Sequence, residues 1–140
     1  MSYTRLIPVE FNHCDPAGIV FYPRYFEMTN SVIENFFAER LGRSYAQITL
    51  QDRHGVPTVK IDATFHRPSR LGDRLEFRLS VAQAGSSSAR FALSARGRGE
   101  LRMTADLTLV WVTPEGRAAP WPDDIRAKLR AEMTGEETDR

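Results

Sequence analysis

The residues best suited to chemistry in this chain lie near its N-terminus, in a loop predicted for residues 12–18. Asp15 is followed there by Pro16 and Gly18, and a long helical pattern begins a few residues later. The start of a helix offers unpaired N–H groups and a partial positive charge. A carboxylate beside such donors can attack a carbonyl carbon, or activate water against it, while the donors hold the carbonyl oxygen. The alternative from the pattern alone is that Asp15 caps the helix.

Other side chains of this region each have a chemical and a structural interpretation. Gly18 permits a positive φ or the close approach of a ligand, and it is equally a plain turn glycine. His13 could orient the carboxylate two residues on, or titrate near neutral pH. Tyr22 and Tyr25 lie three positions apart on one helical face, where they either line a pocket or pack. Cys14 becomes a nucleophile only where a base activates it, and the sequence shows none.

The longest element predicted is an amphipathic helix over residues 23–41. Its apolar side chains recur at i, i+3 or i+4 and i+7, with polar side chains between them. Pro23 suits the first helical turn, and Gly42 suits the position just after the last one. A first strand is predicted over residues 3–11, and a shorter helix within residues 44–52.

The second half of the chain changes to a period of two, which is typical of strands with one buried face. Short turns separate four such runs, so they predict an antiparallel meander. Its apolar face needs a cover, which the stripe of the long helix supplies. We therefore expect an α+β fold in which an antiparallel sheet wraps around one long helix, with a terminal helix near residues 123–133. The alternating runs are residues 59–66, 75–82, 89–95 and 101–111.

Length and composition restrict the class of protein. The 140 residues favour a single domain, and 41% hydrophobic with 26% charged residues is ordinary for a soluble globular protein. A formal net charge of +1 speaks against a strongly basic nucleic-acid binder. No apolar run approaches the ~20 residues that span a bilayer, and the first residues do not lead into a signal-peptide core. With a single cysteine and no Cys/His cluster of zinc spacing, we expect a reduced, cytoplasmic protein with residues 134–140 as a flexible tail.

Basic residues at one strand end are candidates for binding phosphates. Arg67 and Arg70 flank Pro68 just after the first alternating run. Arginine binds phosphate through paired hydrogen bonds. A solvated strand edge is the other interpretation of the same residues.

Residues 15–23 read Asp15-Pro16-Ala17-Gly18-Ile19-Val20-Phe21-Tyr22-Pro23. This segment resembles the signature of the 4-hydroxybenzoyl-CoA thioesterase family, whose members have the hot-dog fold. The order of strand, loop, long helix and meander is that family's topology, so the resemblance covers most of the chain, although it is dense only over residues 11–30. It implies hydrolysis of an acyl-CoA thioester to a free acid and CoA, without a metal or redox cofactor.

The resemblance implies roles residue by residue. Asp15 matches the family's catalytic aspartate, which acts either as nucleophile or as general base for water. The backbone N–H of Tyr22 matches the donor that polarises the thioester carbonyl. Gly18 matches the glycine that lets the chain turn into that position. His13 and Tyr25 are expected in the substrate pocket.

Two differences from the family bear on the substrate. The family's para-hydroxybenzoyl enzyme uses an acidic residue on the long helix near the ring hydroxyl, and Asn30 holds the matching position here. An amide hydrogen-bonds without bringing a charge, so benzoyl, other hydroxybenzoyl and short to medium acyl groups stay open, with aromatic groups favoured. The family's basic cluster at a hairpin tip aligns with residues 85–88, which are Gly-Ser-Ser-Ser. The CoA phosphates then need other partners, for which Arg67, Arg70 and Arg90 are the candidates.

The resemblance also implies an assembly. Family members are dimers and often tetramers with active sites between subunits, and unpaired sheet edges favour pairing across a two-fold axis. Thr58, Val59 and Lys60 are expected to line the neighbouring subunit's pocket. We therefore expect an acyl-CoA substrate, a homodimer that assembles to a homotetramer, and neither nucleic acid nor membrane as a partner. Two other functions stay open: hydration or dehydration of an enoyl thioester, which needs a general base, and acyl-CoA or acyl-carrier binding without catalysis.

Overall fold

The structure, a computed structural model, describes residues 2–138, with side chains described for residues 2–133. Within these residues neither long helix is long and apolar enough to cross a membrane. The flexible tail predicted for residues 134–140 falls where side chains are not described, and residues 139–140 lie outside the described part, so it stays a prediction. The main elements are β1 (Tyr3–Pro8), α1 (Pro23–Phe36), β2 (Thr58–Phe65), β3 (Arg74–Ala84), β4 (Ser88–Gly97), β5 (Glu100–Val110) and α2 (Asp123–Thr138).

The long helix begins and ends where the sequence predicts. α1 starts at a proline and buries one face, and a π-helical stretch, Phe37–Leu41, continues it. Gly42 then ends the helix in the left-handed conformation, with a φ of 80°. The helix predicted over residues 23–41 is therefore confirmed. The shorter helix predicted within residues 44–52 is present as Gln47–Gln51.

The five strands form one antiparallel sheet in the order β1-β3-β4-β5-β2. The predicted meander is correct for β3, β4 and β5 but wrong for β2. β2 pairs with β5 at the far edge, and β1 takes the place beside β3. The segment after β2, residues 66–73, is too long for a tight hairpin and crosses over to β3. We call residues 66–73 the crossover.

The first strand is shorter than predicted. It ends at Pro8 instead of continuing to residue 11, and Phe11–His13 form a helical turn. Proline has no N–H to donate to a ladder. The next residue, Val9, leaves the strand and donates its N–H to the carbonyl of Asp73 at the end of the crossover (2.7 Å).

α1 packs across the apolar face of the sheet from one edge strand to the other. The Phe36 ring contacts Tyr3 of β1 and Phe91 of β4. The Tyr25 ring contacts Phe65 of β2. Since β1 and β2 are the two edges, the sheet wraps around the helix, and the predicted α+β architecture is confirmed.

α2 closes the other side of the core. Ile125 and Leu129 are fully buried, and the helix predicted near residues 123–133 is confirmed. Arg40, at the end of the long helix, pairs with Glu132 of α2 (2.8 Å). This ion pair fastens the two helices at a place away from the Asp15 loop.

Candidate active site

Asp15 lies in a tight hairpin formed by residues 13–21. The Asp15 N–H donates to the Ile19 carbonyl (3.0 Å), and the Gly18 N–H donates to the Asp15 carbonyl (2.9 Å). Gly18 has a φ of 77°, and Pro16 stands where a fixed φ near −65° suits a type I turn. A type I turn followed by a left-handed residue is a common three-residue hairpin loop. The proline and glycine around Asp15 therefore set its position. We call residues 13–21 the Asp15 hairpin.

The Asp15 side chain does not cap the long helix. The residue before α1 is Tyr22, seven positions further on, and the Tyr22 side chain makes no capping hydrogen bond. Asp15 is half-buried, and its Oδ1 accepts the Ala17 N–H within the turn (2.9 Å). Oδ2 accepts no hydrogen bond from the described residues. The capping alternative is therefore wrong, and one carboxylate oxygen is available for chemistry.

The helix that follows the hairpin presents an N–H donor at its start. The Arg24 N–H turns back to the Phe21 carbonyl (2.9 Å), and the Tyr25 N–H turns back to the Tyr22 carbonyl (3.1 Å). Pro23 has no N–H. In the described part of the chain, the Tyr22 N–H has no acceptor. A bound carbonyl oxygen can therefore use this donor, as the resemblance implies.

His13 and Cys14 make their contacts with Glu10 rather than with Asp15. His13 Nδ1 accepts the Glu10 N–H (2.8 Å), and the Cys14 Sγ lies 3.6 Å from the Glu10 carbonyl oxygen. Burial, and then the Asp15 charge, raises the pKa of the Cys14 thiol above its ordinary value. A raised pKa lowers the thiolate fraction near neutral pH. The predicted interaction of His13 with Asp15 is thus absent among the described contacts.

A cavity of about 290 Å³ lies between α1 and the strands β2 and β5. We call it the helix–strand cavity. Asn30 and Thr58, two of the residues predicted for the substrate pocket, line it together. Its walls are otherwise mostly apolar. The other lining residues are Phe26, Thr29, Ile33, Ile61 and Leu107.

A second groove, of about 250 Å³, runs between the end of the Asp15 hairpin and the end of β2. We call it the aromatic groove. The Phe65 ring lies at its centre, with ring centroids 6.1 Å from Tyr22, 5.4 Å from Tyr25 and 6.1 Å from Phe26. Because Phe26 also lines the helix–strand cavity, Phe65 joins the two. The remaining lining residues are Ile19, Val20, His66, Arg67 and Pro68.

A third groove, of about 370 Å³, continues from the aromatic groove and shares Arg67 with it. Arg70 and Arg98 also line it, and we call it the arginine groove. Arg90 does not belong to this group. It pairs with Asp106 (3.2 Å) and lies opposite Thr108, six positions along β5 from the residue that Arg67 approaches. At ~3.3 Å per residue, Arg90 lies about 20 Å from Arg67 along the sheet.

The remaining predicted pocket residues lie outside the helix–strand cavity. Val59 and Lys60 are exposed on β2, and His13 lines a separate groove beside β1. Tyr25 reaches the aromatic groove with its ring, while its hydroxyl donates to Ser69 Oγ (2.9 Å). Phe65 was not among the site residues predicted from the sequence. The feature that could have indicated it is an aromatic residue near the end of an alternating run.

The crossover is joined to the Asp15 hairpin by two backbone hydrogen bonds. The Val20 N–H donates to the carbonyl of the buried Ser69 (2.9 Å), and the Leu71 N–H donates to the Gly18 carbonyl (3.0 Å). These two bonds hold the far arm of the hairpin. The sequence did not predict this contact, because the two segments are about fifty residues apart and carry no local signal for each other.

The fold and the hairpin together define a class of protein. The family model of the thioesterase-like superfamily matches residues 9–129, which include the Asp15 hairpin, α1 and every strand except β1. The chain belongs to this superfamily. The hot-dog fold expected from the resemblance is confirmed.

Particular relatives narrow the comparison. The chain is 35% identical over 66 residues to the 4-hydroxybenzoyl-CoA thioesterase of Pseudomonas sp. (strain CBS-3), and this match spans only 46% of this chain and 46% of that relative's length. The three-dimensional structure of that enzyme has a TM-score of 0.78 at 29% identity, covering 91% of this chain and 98% of that one. A 1,4-dihydroxy-2-naphthoyl-CoA thioesterase from Synechocystis shares the fold, with a TM-score of 0.84 at 22% identity over 93% of this chain and 96% of that one.

Proposed function

We propose that this protein is a cytoplasmic acyl-CoA thioesterase in which Asp15 performs the chemistry and the Tyr22 N–H polarises the thioester carbonyl. The observation that carries the proposal is the Asp15 hairpin. It holds a half-buried carboxylate with one oxygen that accepts no hydrogen bond from the described residues, and its second arm leads directly into the helix start, where the Tyr22 N–H has no acceptor among those residues. The names of the two relatives and the superfamily agree with this chemistry.

Two routes use the same geometry. As nucleophile, an Asp15 oxygen attacks the carbonyl carbon, the C–S bond breaks, CoA leaves as a thiolate that takes up a proton, and water hydrolyses the acyl–aspartate anhydride. As general base, Asp15 takes a proton from the attacking water, and that proton passes to the departing thiolate. In both routes negative charge develops on the carbonyl oxygen, where the Tyr22 N–H stabilises it. Neither route needs a metal or redox cofactor.

The helix–strand cavity suits an aromatic acyl group. Its volume of about 290 Å³ is roughly twice the ~150 Å³ of an engineered apolar cavity that binds benzene. A substituted ring therefore fits. Asn30 and the neighbouring threonines offer hydrogen bonds without a charge, which favours a neutral ring or a ring with a neutral hydroxyl.

The two grooves give CoA a path. A thioester held at the Tyr22 donor places the CoA chain against the aromatic groove, and the phosphates then reach Arg67 and Arg70 in the arginine groove. Arginine is well suited to such phosphates. Arg98 joins the two predicted residues there. Arg90 belongs to a CoA site only if another subunit brings it near.

We propose further that the working unit is a homodimer, which assembles to a homotetramer. β2 is an edge strand with an exposed apolar row, formed by Ile61 (40% exposed) and Phe65 (43% exposed). Val59, which lies beside the row at a shift in the β2–β5 register, is 59% exposed. A second copy paired along this edge would cover the row and close the helix–strand cavity beside Ile61 and Thr58.

Hydrolysis is tested by thiol release from a panel of acyl-CoAs: benzoyl, the three hydroxybenzoyls, phenylacetyl and straight chains of increasing length. Asp15→Asn should lower the rate at least ~100-fold, the lower range for acid–base groups. Glu115→Gln, which changes an exposed carboxylate in the turn between β5 and α2, serves as the matched control and should leave the rate unchanged. If the wild type binds acyl-CoA but releases no thiol from any of them, the hydrolase proposal fails in favour of a binding module.

The dimer is tested by light scattering on a size-exclusion column. Ile61→Lys places a charge in the apolar row of β2 and should shift the protein to a monomer. Leu50→Lys is the control, because Leu50 is an apolar residue 74% exposed on the short helix Gln47–Gln51 and not on β2. A dimer that persists in Ile61→Lys would refute β2 as the interface.

A further inference from the structure

Arg102 of β5 is a buried cation at an irregularity of the sheet. Ala95 of β4 pairs with Met103 while Arg96 pairs with Leu101, so the register shifts here and Arg102 has no direct partner on β4. Arg102 is only 3% exposed, and its guanidinium lies beside Gly97 and the buried Leu75, where the crossover covers it. An arginine is almost never fully buried unless it is paired, so this position calls for a physical reason.

The guanidinium of Arg102 fastens the crossover at three points. Nη1 donates to the Asp73 carboxylate (2.8 Å), to the Pro68 carbonyl (3.1 Å) and to Ser69 Oγ (3.2 Å). Nη2 donates in another direction, to the Gly97 carbonyl at the end of β4 (3.0 Å). The planar fork therefore ties the crossover to the sheet, which the single ammonium of a lysine cannot do in both directions.

Asp73 completes the clamp from the side of the crossover. Its Oδ2 also accepts the Arg70 N–H (2.9 Å), which closes the last turn of the crossover. The Arg70 N–H and the Arg102 guanidinium lower the pKa of Asp73 below its usual range. The carboxylate therefore stays charged at neutral pH and keeps the clamp closed.

The clamped segment is the same one that carries the Asp15 hairpin. Ser69 receives Arg102 and the Tyr25 hydroxyl on its side chain, and its carbonyl accepts the Val20 N–H. Two residues later, the Leu71 N–H donates to the Gly18 carbonyl. A single connected set of hydrogen bonds thus runs from Arg102 through the crossover to the turn that holds the carboxylate.

We propose that Arg102 is a positioning residue that holds Asp15 in register with the Tyr22 donor through the crossover; this inference rests on the proposed function. Stability alone is a weak explanation for the buried pair, because apolar residues of similar volume often stabilise a fold equally well. A displacement of about 1 Å at a reacting group can lower a rate ~100-fold. The clamp on the crossover is therefore expected to affect the rate of the reaction more than the stability of the fold.

The test compares Arg102→Met and the milder Ser69→Ala with Arg40→Met. The control removes an ion pair of similar chemistry that lies away from the Asp15 hairpin. At equal fractions of folded protein, we expect Arg102→Met to lower kcat about 10- to 100-fold, with a smaller rise in KM because the crossover also carries Arg67 and Arg70, and Ser69→Ala to lower kcat less. Arg102→Lys should restore only part of the rate. Arg40→Met should keep the wild-type kcat.

Amide hydrogen exchange supplies a readout that does not need activity. The Val20 and Leu71 amides should exchange roughly tenfold faster in Arg102→Met and Ser69→Ala than in Arg40→Met, which is the size of one lost hydrogen bond. If the wild type hydrolyses thioesters but these amides and kcat respond equally in all three variants, the positioning role is refuted. If KM rises while kcat is kept, Arg102 acts in binding, and the positioning role is also refuted. If no thioester is hydrolysed, the proposed function fails, while the exchange result still decides whether Arg102 holds the hairpin.

Discussion

Gly97→Ala is the sharpest test of how tightly the Arg102 guanidinium is seated, because it removes no polar group. A Cβ added at Gly97 would lie 3.0 Å from Arg102 Cζ and Nη2 and 3.0 Å from a Leu75 methyl carbon. Favourable carbon contacts lie at ~3.5–4.0 Å. The guanidinium must therefore move by several tenths of an ångström, and its bonds to the crossover must lengthen.

The expected magnitude follows from two opposing effects. Overpacking of this kind costs about 1–3 kcal/mol, and the stiffer unfolded chain of the alanine variant offsets about 0.4–1 kcal/mol of that. We expect a net loss of about 1–2 kcal/mol in the free energy of unfolding, which corresponds to a fall in Tm of roughly 4–8 °C. We also expect kcat for acyl-CoA hydrolysis to fall about tenfold, because the Asp15 hairpin rests on the displaced crossover.

Gly99→Ala provides the matched control. Gly99 lies two residues away with a φ of 77° and open space where its Cβ would stand. The left-handed backbone costs alanine about 1–2 kcal/mol, so both variants lose similar stability. Thermal unfolding and thiol release are measured on both. Equal kcat in the two variants at equal Tm would refute the reasoning, since the seat of Arg102 would then have no bearing on Asp15.

Three further perturbations have outcomes that the structure sets. Tyr25→Phe removes the 2.9 Å hydrogen bond to Ser69 and should lower the free energy of unfolding by about 1 kcal/mol; an unchanged urea midpoint would count against that bond. The lowered pKa of Asp73 stabilises the fold above the ordinary carboxyl value of ~3.9, and this stabilisation is lost as the pH falls through the depressed value in the folded state. Asp73→Asn should therefore flatten the loss of stability below about pH 4 in urea titrations, and an unaltered slope would contradict the pairing. Because the Cys14 thiol has a raised pKa, it should react with iodoacetamide at pH 7 more slowly than glutathione, and Cys14→Ala should keep full activity; a large loss of kcat would revive the cysteine as a nucleophile.

Local signals predicted the parts of the site that are local in sequence. Pro16 and Gly18 indicate a turn by their backbone preferences alone, and the turn is where they place it. The helix over residues 23–41 follows from one apolar stripe and its two end signals. These features depend on neighbouring residues, so no knowledge of the rest of the fold is needed to find them.

Long-range features could not be predicted in the same way. The alternation in β2 is identical whether the strand pairs with β3 or with β5, so the pattern could not reveal the crossover. Arg102 falls at a polar position of the alternating run, and the shift in register between β4 and β5 that places it against the crossover has no local signal. The network that supports Asp15 therefore has no signature in the sequence, because every one of its partners lies about thirty residues away or on another element.

The exposed apolar side chains of β2 are a further place where the sequence pattern and the observed burial differ. Val59, Ile61 and Phe65 alternate as regularly as the inward residues of the other strands, and their alternation predicts one buried face. On β4 and β5 that prediction holds, since Phe91 and Leu107 are almost fully buried, but on β2 Ile61 and Phe65 stay 40% and 43% exposed. Val59 leaves the row, because a shift in register places Thr58 opposite the inward Leu109. The stripe of α1 ends at this edge, so no element within the described chain is left to cover it. The sequence thus predicts a buried face that the described chain leaves exposed; this mismatch is the basis of the proposed dimer, and the helix–strand cavity lies beside it.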